Sequence, residues 1–367
     1  MKIFKPVYIF PLMVMALITG ISGGWIRLGF MGMPLPGTAG SHGLLMVGGF
    51  LGTLISLERS MVMKNKVWLT VPLMSGVSVP FVIGGWSTVG ISMVLLASMG
   101  LVAIMYFQTL RHQLPQDYVM ALGAVTWMLG NFTYMYTGFM AMATGWWMAF
   151  LLFTILGERL ELSKFLPTPQ WAKKTLFWLI GFFFMGLLIP FHGWGSSILG
   201  TTLILMALWL LHYDMARIAS RKADQFKYIG VGLRTGYIWL ALNGAVLVLM
   251  EHHAFYYDLY LHTFFLGFVF SMIWAHAPVI LPMVLHLKLT PYHPILWLGW
   301  LVFQLSLAGR VVSSFMEEYA YRQLFGVING WSILGMFALM AIVSFIKYWH
   351  ISFKKKTGPQ PKQMSRL

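Results

Sequence analysis

The stretch VGISMVLLASMGLVAIMYFQTL, residues 89–110, runs without a single charged side chain. An α-helix rises about 1.5 Å per residue, so a run of this length covers the hydrocarbon core of a bilayer, which is about 30 Å thick. The apolar residues are contiguous and do not alternate with polar ones, which excludes a strand of a membrane β-barrel. The stretch therefore predicts a transmembrane helix.

Runs of the same kind recur along the whole chain. Hydrophobic residues make up 59% of its 367 residues and charged residues only 10%, a balance that water-soluble domains do not have. Twelve spans are predicted, near 6–29, 42–60, 67–86, 89–110, 117–137, 140–157, 174–191, 195–213, 228–250, 258–287, 294–315 and 321–348. Because backbone groups find no water in the hydrocarbon, each span is expected to be helical. The sequence thus predicts an all-α polytopic membrane protein with one transmembrane domain, residues 1–350, and a basic cytoplasmic tail, residues 351–367.

Most of the basic residues fall on one side of this twelve-span pattern. They are Lys2, Lys5, Arg59, Lys64, Lys66, Arg111, Arg159, Lys164, Lys173, Lys174, Arg217, Arg221, Lys222, Lys227, Lys288 and the tail from Lys347 to Arg366. The positive-inside rule then predicts that both termini are cytoplasmic. The formal charge of +15 is therefore interpreted as a topology signal and not as a nucleic-acid patch, and the predicted partner is the lipid bilayer.

The acidic residues and the absence of cysteine narrow the possible functions. All ten carboxylates fall at loop or interface positions in this pattern, whereas ion-coupled transporters usually need an acid inside the membrane. Without cysteine, a disulfide framework, an iron–sulfur cluster and a thiolate-ligated haem are excluded. Any bound metal must therefore have His, Met, Tyr or carboxylate ligands.

Two histidines open two distant spans in the same way. His42 opens the second span in GSHGLLMVGGF, and His262 opens the tenth in DLYLHTFFLGF. Both spans run from outside to inside, so the two imidazoles are predicted at equal depth near the outer face. Imidazoles on different helices at one level, with glycines nearby to make room for a macrocycle, could ligate a haem. The alternative is a pair of interfacial histidines that hydrogen-bond to water.

Three arginines lie on the outer side, against the positive-inside trend. They are Arg27, Arg310 and Arg322, at the outer ends of spans one, eleven and twelve. The planar guanidinium suits a carboxylate such as a haem propionate, so these residues are predicted to bind the propionates. The alternative pairs them with Glu317, Glu318 or lipid headgroups.

Other histidines are further candidates for metal ligands. His276 lies about 21 Å along the helix from His262, a step that would place a second haem near the inner face. It has no clear partner in the sequence, and hydrogen bonding within the bundle is the alternative. His252 and His253, with two acids nearby in the outer loop, are a weak copper or zinc motif, and the alternative there is a solvated loop.

These motifs resemble those of haem-copper oxidase catalytic subunits. His-Gly-Leu-Leu-Met at 42–46 is similar to the HGxxM-type motif of their second span, and residues 258–264 are similar to the start of their tenth span. The resemblance implies that His42 and His262 ligate a low-spin haem and that Arg310 binds a propionate. Span six has no histidine and span seven has no adjacent pair, so the copper-site ligands are missing and a terminal oxidase is not expected.

In size and character the chain more closely resembles the NnrS family, haem- and copper-containing twelve-span proteins of the bacterial nitric-oxide response. The likeness rests on the two His-led spans and on LSLAGRVV at 305–312. It implies a b-type haem, copper as a further cofactor, nitric oxide or a quinol as partner, and residence in the bacterial inner membrane. The implied role is nitric-oxide response or haem-linked electron transfer, and whether the chain is an enzyme stays open.

A rival interpretation is a cofactor-free transporter or channel. In that case the histidines would line a polar pathway, and broken helices would surround a cavity at the membrane midplane. The best sequence for such a break is TVPLMSGVSVPFVIGG at 70–85, which contains Pro72 and Pro80.

Overall fold

The computed structural model describes residues 6–32, 35, 37–285 and 289–357, and within them every regular element is a helix. The long helices are α1 (Pro6–Arg27), α2 (Thr38–Met61), α3 (Lys66–Ile83), α4 (Ser87–His112), α5 (Pro115–Thr137), α6 (Met140–Ser163), α7 (Gln170–Leu188), α8 (Ser196–Tyr213), α9 (Asp224–Leu249), α10 (Tyr256–Pro282), α11 (Leu296–Phe315) and α12 (Tyr319–Thr357). Three basic residues of the predicted topology signal, Lys2, Lys5 and Lys288, lie outside the described residues, as does the tail from residue 358 onward.

These helices match the predicted spans one to one. Eleven of them are long and apolar enough to cross a membrane. The other one, α5, has 23 residues, and it carries Asp117 in its first turn and a buried Asn131 in its interior. It packs between α4 and α6 as part of the same bundle. The prediction of an all-α polytopic membrane protein is therefore confirmed.

Sequential packing sets the arrangement of the bundle. Each helix contacts the next one along the chain, and α12 returns to pack against α1. The helix α10 also contacts α6 through Thr263–Phe270 and the start of α1 through its second half, so it lies in the interior of the bundle. Because the twelve helices alternate in direction, all even-numbered helices run the same way. The assignment of their starting end to the outer face remains a prediction.

Two of the even-numbered helices, α2 and α10, are locally widened. Leu44–Gly52 in α2 and Thr263–Phe270 in α10 are π-helical, an arrangement that accommodates an extra residue and is frequent at functional sites. Residues seven apart share a face of an α-helix, and with one residue inserted the spacing becomes eight. His42 and Phe50 are eight residues apart, and so are His262 and Phe270. Each histidine therefore lies above its phenylalanine on the same face.

The two phenylalanines set the relative height of α2 and α10. The rings of Phe50 and Phe270 stack with centroids 6.1 Å apart and planes inclined by 24°. Each histidine lies two turns, about 11 Å, from this contact toward the start of its helix. Because α2 and α10 run in the same direction, His42 and His262 lie at the same level.

Candidate functional site

A cavity of about 350 Å³ lies at the end of the bundle where α2 and α10 begin. Its volume is within the range of small-molecule and cofactor sites. All five residues predicted to bind a haem line it, namely His42, His262, Arg27, Arg310 and Arg322. The fold thus brings together side chains from α1, α2, α10, α11 and α12.

The rest of the lining is mainly apolar or small. Val47 and Leu51 contribute from α2, and Phe265 and Leu266 from α10, all within two or three turns of the histidines. Gly43, Gly326 and Gly330 leave parts of the wall without side chains. The cavity therefore combines an apolar interior with a few polar groups at one end, as is usual for cofactor sites.

The His42 imidazole is held against α1. Its Nδ1 lies 2.6 Å from the carbonyl oxygen of Gly20, so Nδ1 carries the hydrogen and donates it. A Cβ atom at Gly24 would lie only 3.0 Å from His42 Cε1, so a glycine there is what permits this close approach. Among the described residues, His42 Nε2 has no hydrogen-bond partner. Its lone pair is free to bind a metal ion.

His262 has the same tautomer but a different neighbour. Its Nδ1 lies 2.8 Å from the backbone oxygen of Asp258, one turn earlier in α10, and donates to it. The Nη2 atom of Arg310 lies 3.2 Å from His262 Nε2. The same atom lies 3.3 Å from Nδ1, so the guanidinium lies against the imidazole ring and not along the in-plane lone pair of Nε2.

Asp258 is the carboxylate that pairs with the outer arginines. Arg310 Nη2 donates to its Oδ1 at 2.8 Å, and Arg322 Nη2 lies 3.2 Å from the same oxygen. Neither interpretation of the sequence named this partner, since the predicted acids were Glu317 and Glu318. Its spacing of four residues from His262 on one helix was the available signal.

The charges around the cavity do not balance. Arg27 is exposed and has no ion pair among the described residues, and the Nε atom of the buried Arg310 has no hydrogen-bond partner. Three guanidiniums and the single carboxylate of Asp258 leave a formal charge of +2. The cavity therefore favours a ligand that carries two negative charges.

His276 lies in a separate polar cluster toward the other end of the bundle. Its Nδ1 donates to the Met272 carbonyl at 2.9 Å, and its Nε2 accepts from Arg159 at 3.1 Å. Both ring nitrogens are thus engaged, as the hydrogen-bonding alternative expected. Arg159, which the sequence pattern grouped with the cytoplasmic loops, lies inside α6 and is only 4% exposed.

The two loop histidines differ in their surroundings. His252 is exposed, and His253 lies 3.1 Å from the Phe315 carbonyl and 3.8 Å from Glu317. Glu251 instead accepts a hydrogen bond from the backbone of Gly193. Within the described part of the chain, no three His, Asp or Glu side chains are arranged to hold a metal ion. The copper or zinc motif of this loop stays a prediction.

Comparison with known proteins gives a family and no close relative. No curated protein and no solved structure matches the chain. A family model described as a domain of unknown function (DUF8744) matches residues 7–345, which include every helix that lines the cavity. The chain therefore belongs to the DUF8744 family.

Proposed function

We propose that this chain is a haem-binding integral membrane protein in which His42 and His262 would hold the iron of one b-type haem. The observation that carries the proposal is a single cavity lined by two imidazoles at one level and by three guanidiniums. Three of these residues, His42, His262 and Arg310, are those that the resemblance to haem-copper oxidases and to the NnrS family implies.

The residues around the cavity fit the chemistry of this cofactor. A b-type haem is a flat apolar ring with two carboxylates, and its iron takes axial nitrogen ligands. The cavity offers apolar walls, a formal charge of +2, and the free lone pair of His42 Nε2. Both histidines donate from Nδ1 to a backbone carbonyl, an arrangement that commonly orients metal-binding imidazoles.

Each group of residues then has a distinct role. The backbone oxygens of Gly20 and Asp258 fix the tautomers, while Arg310, with Arg27 and Arg322, neutralises the propionates. The apolar walls exclude water. Haem, when bound, supplies reversible one-electron chemistry and a site for small ligands. We assign no residues to copper.

The proposed biological role follows the resemblance to the NnrS family. We place the protein in the bacterial inner membrane with both termini in the cytoplasm, acting in the nitric-oxide response or in haem-linked electron transfer with a quinol. The rival transporter or channel predicted a broken helix at residues 70–85. Instead, Thr70–Ile83 is one helix that continues through Pro80. The structure therefore gives the rival no support at that segment.

The optical spectrum of the detergent-purified protein, reduced minus oxidised, tests the proposal. We expect the Soret and α bands of a b-type haem at about one haem per chain. His42→Ala should lose most of this haem because it removes the ligand whose lone pair is free. Haem content should be measured with the wild type and the variant prepared in parallel.

Two other histidine substitutions serve as controls. His212→Ala alters an exposed side chain in the last turn of α8, and His276→Ala alters a half-buried histidine on α10 that does not line the cavity. Both should keep the spectrum of the wild type. A wild-type protein that stays colourless after addition of hemin, or His42→Ala with an unchanged spectrum, would refute the assignment.

A further inference from the structure

Asp258 lies at the centre of the charged end of the cavity. Its Oδ1 atom accepts a hydrogen bond from Arg310 Nη2 at 2.8 Å. Arg322 approaches both carboxylate oxygens, with Nη2 3.2 Å from Oδ1 and Nε 3.3 Å from Oδ2. This two-pronged contact is the one that a guanidinium commonly makes with a carboxylate. Several donors that an acidic ligand could use are thus occupied by a carboxylate of the protein itself.

Other donors at this end of the cavity are not occupied. Within the described ranges, Arg27 is exposed and forms no ion pair, and the buried Nε atom of Arg310 has no hydrogen-bond partner. Asp258 is the single acidic residue among the described residues that line the cavity. The excess of two positive charges therefore depends on this one carboxylate, since the three lining arginines alone would give an excess of three.

We infer that Asp258 determines how many carboxylates a ligand of this cavity carries, and that it selects a porphyrin with two carboxylates over one with four. This inference rests on the proposed function. Two ligand carboxylates balance the three arginines and Asp258, whereas four would leave two negative charges uncompensated in a partly buried site. Asp258 also repels each further carboxylate that approaches the arginines it pairs with. It is therefore a residue that determines specificity through its charge.

Three metal-free porphyrins that differ in their number of carboxylates test this inference. They are protoporphyrin dimethyl ester with none, protoporphyrin with two and coproporphyrin with four. Because they contain no metal, their binding reports on the cavity and its charges without ligation by the histidines. Affinities are measured by fluorescence anisotropy of the porphyrin in one detergent, and each porphyrin is compared between proteins so that differences in its other substituents cancel. The wild type should bind protoporphyrin more tightly than coproporphyrin.

Asp258→Asn removes the charge and keeps an oxygen that can accept from His262 Nδ1, which lies 3.1 Å from Oδ1. Relative to the wild type, it should shift the preference toward coproporphyrin by about tenfold, because each additional carboxylate gains attraction to the arginines. Both proteins should bind the uncharged ester equally, which also checks that the cavity keeps its shape. Asp258→Glu keeps the charge and should keep the preference of the wild type.

Two further variants complete the design. Glu318→Gln is the matched control, because it removes the same charge from an exposed side chain that lies directly before α12 and does not line the cavity. Arg27→Gln removes one positive charge without breaking an ion pair of the described residues. It should weaken coproporphyrin binding more than protoporphyrin binding. This variant carries the test if Asp258→Asn no longer binds the ester.

The possible outcomes separate this inference from the proposed function. The inference is overturned if Asp258→Asn weakens both acidic porphyrins, as a residue that only positions the arginines would do. It is also overturned if Glu318→Gln changes the preference as much, or if Arg27→Gln leaves the preference unchanged. A wild type that binds haem but does not distinguish two carboxylates from four contradicts the inference alone. If the wild type binds neither haem nor any of the porphyrins, the proposed function fails and the inference fails with it.

Discussion

The helix α10 carries two histidines that have nearly the same local chemistry and very different surroundings. His262 and His276 each donate from Nδ1 to the carbonyl four residues earlier, at 2.8 and 2.9 Å. Each imidazole lies beside an arginine. Arg310 Nη2 is 3.2 Å from Nε2 of His262 and 3.3 Å from its Nδ1, and Arg159 Nη2 is 3.1 Å from Nε2 of His276. The first pair lines a cavity of about 350 Å³, and neither member of the second pair does.

The charges explain why only one of the two regions can take a ligand. Around the outer pair, Asp258 leaves three arginines with an excess of positive charge. Around the inner pair, Arg159 lies within electrostatic reach of Asp214 and Glu158, so its charge is compensated inside the protein. The comparison shows that a histidine becomes a candidate ligand through free space and unbalanced charge around it, and not through its own hydrogen bonds.

Substitution of Arg159 should give the largest loss of stability. Arg159→Ala leaves the Nε2 of His276 without its hydrogen-bond donor and leaves a hole where a side chain only 4% exposed was packed. Loss of a buried hydrogen bond from a charged donor lowers the free energy of unfolding by about 1.5–3 kcal/mol, and the loss of packing adds to it. The measurement is detergent-based unfolding followed by tryptophan fluorescence, at matched protein concentrations.

Arg310→Ala is the matched substitution in the outer region. It should reduce stability by less, because Asp258 still pairs with Arg322 at 3.2 Å and borders a cavity rather than packed side chains. Equal losses of unfolding free energy in Arg159→Ala and Arg310→Ala would contradict the distinction between the packed surroundings of His276 and the cavity beside His262.

The affinity for haem should respond in the opposite order, so that substitution of Arg310 lowers it more than substitution of Arg159. Arg310→Leu removes a charged donor to the proposed propionates, an interaction worth about 1.5–3 kcal/mol, which corresponds to a roughly ten- to hundredfold weaker affinity. Arg310→Lys keeps the charge without the planar fork and should fall between the leucine variant and the wild type. Affinity is measured by titration of the haem-free protein with hemin. An unaltered affinity in Arg310→Leu would exclude Arg310 as a propionate ligand.

The helices and their order could be predicted because each span is encoded locally. The length of a continuous apolar run gives the length of the span, and the ends of the runs indicate which residues lie at equal depth. The common level of His42 and His262 follows from this register. The π-helical segments after each histidine could not be predicted, because their sequences are as apolar as those of ordinary spans.

The partners of the charged side chains depend on contacts between distant helices. Asp258 pairs with Arg310 and Arg322, which lie more than fifty residues away in the sequence. Its spacing of four residues from His262 marks it as a neighbour of that histidine but does not predict these two arginines. The burial of Arg159 was missed for a similar reason. The positive-inside rule counts basic residues near span ends, whereas burial depends on whether α6 and α10 pack together there.

The smallest expected effect is that of Gly24→Ala on the affinity for hemin. Its Cβ would lie 3.0 Å from His42 Cε1, so the imidazole must shift by a few tenths of an ångström and its bond to iron should weaken. Gly335→Ala is the matched control on α12, where an added Cβ meets nothing within 4 Å. Because both variants gain helix propensity alike, a difference in hemin affinity between them reports on the position of His42. We expect Gly24→Ala to bind hemin several times more weakly, at about 1 kcal/mol, and equal affinities would show that α1 does not hold the ring in place.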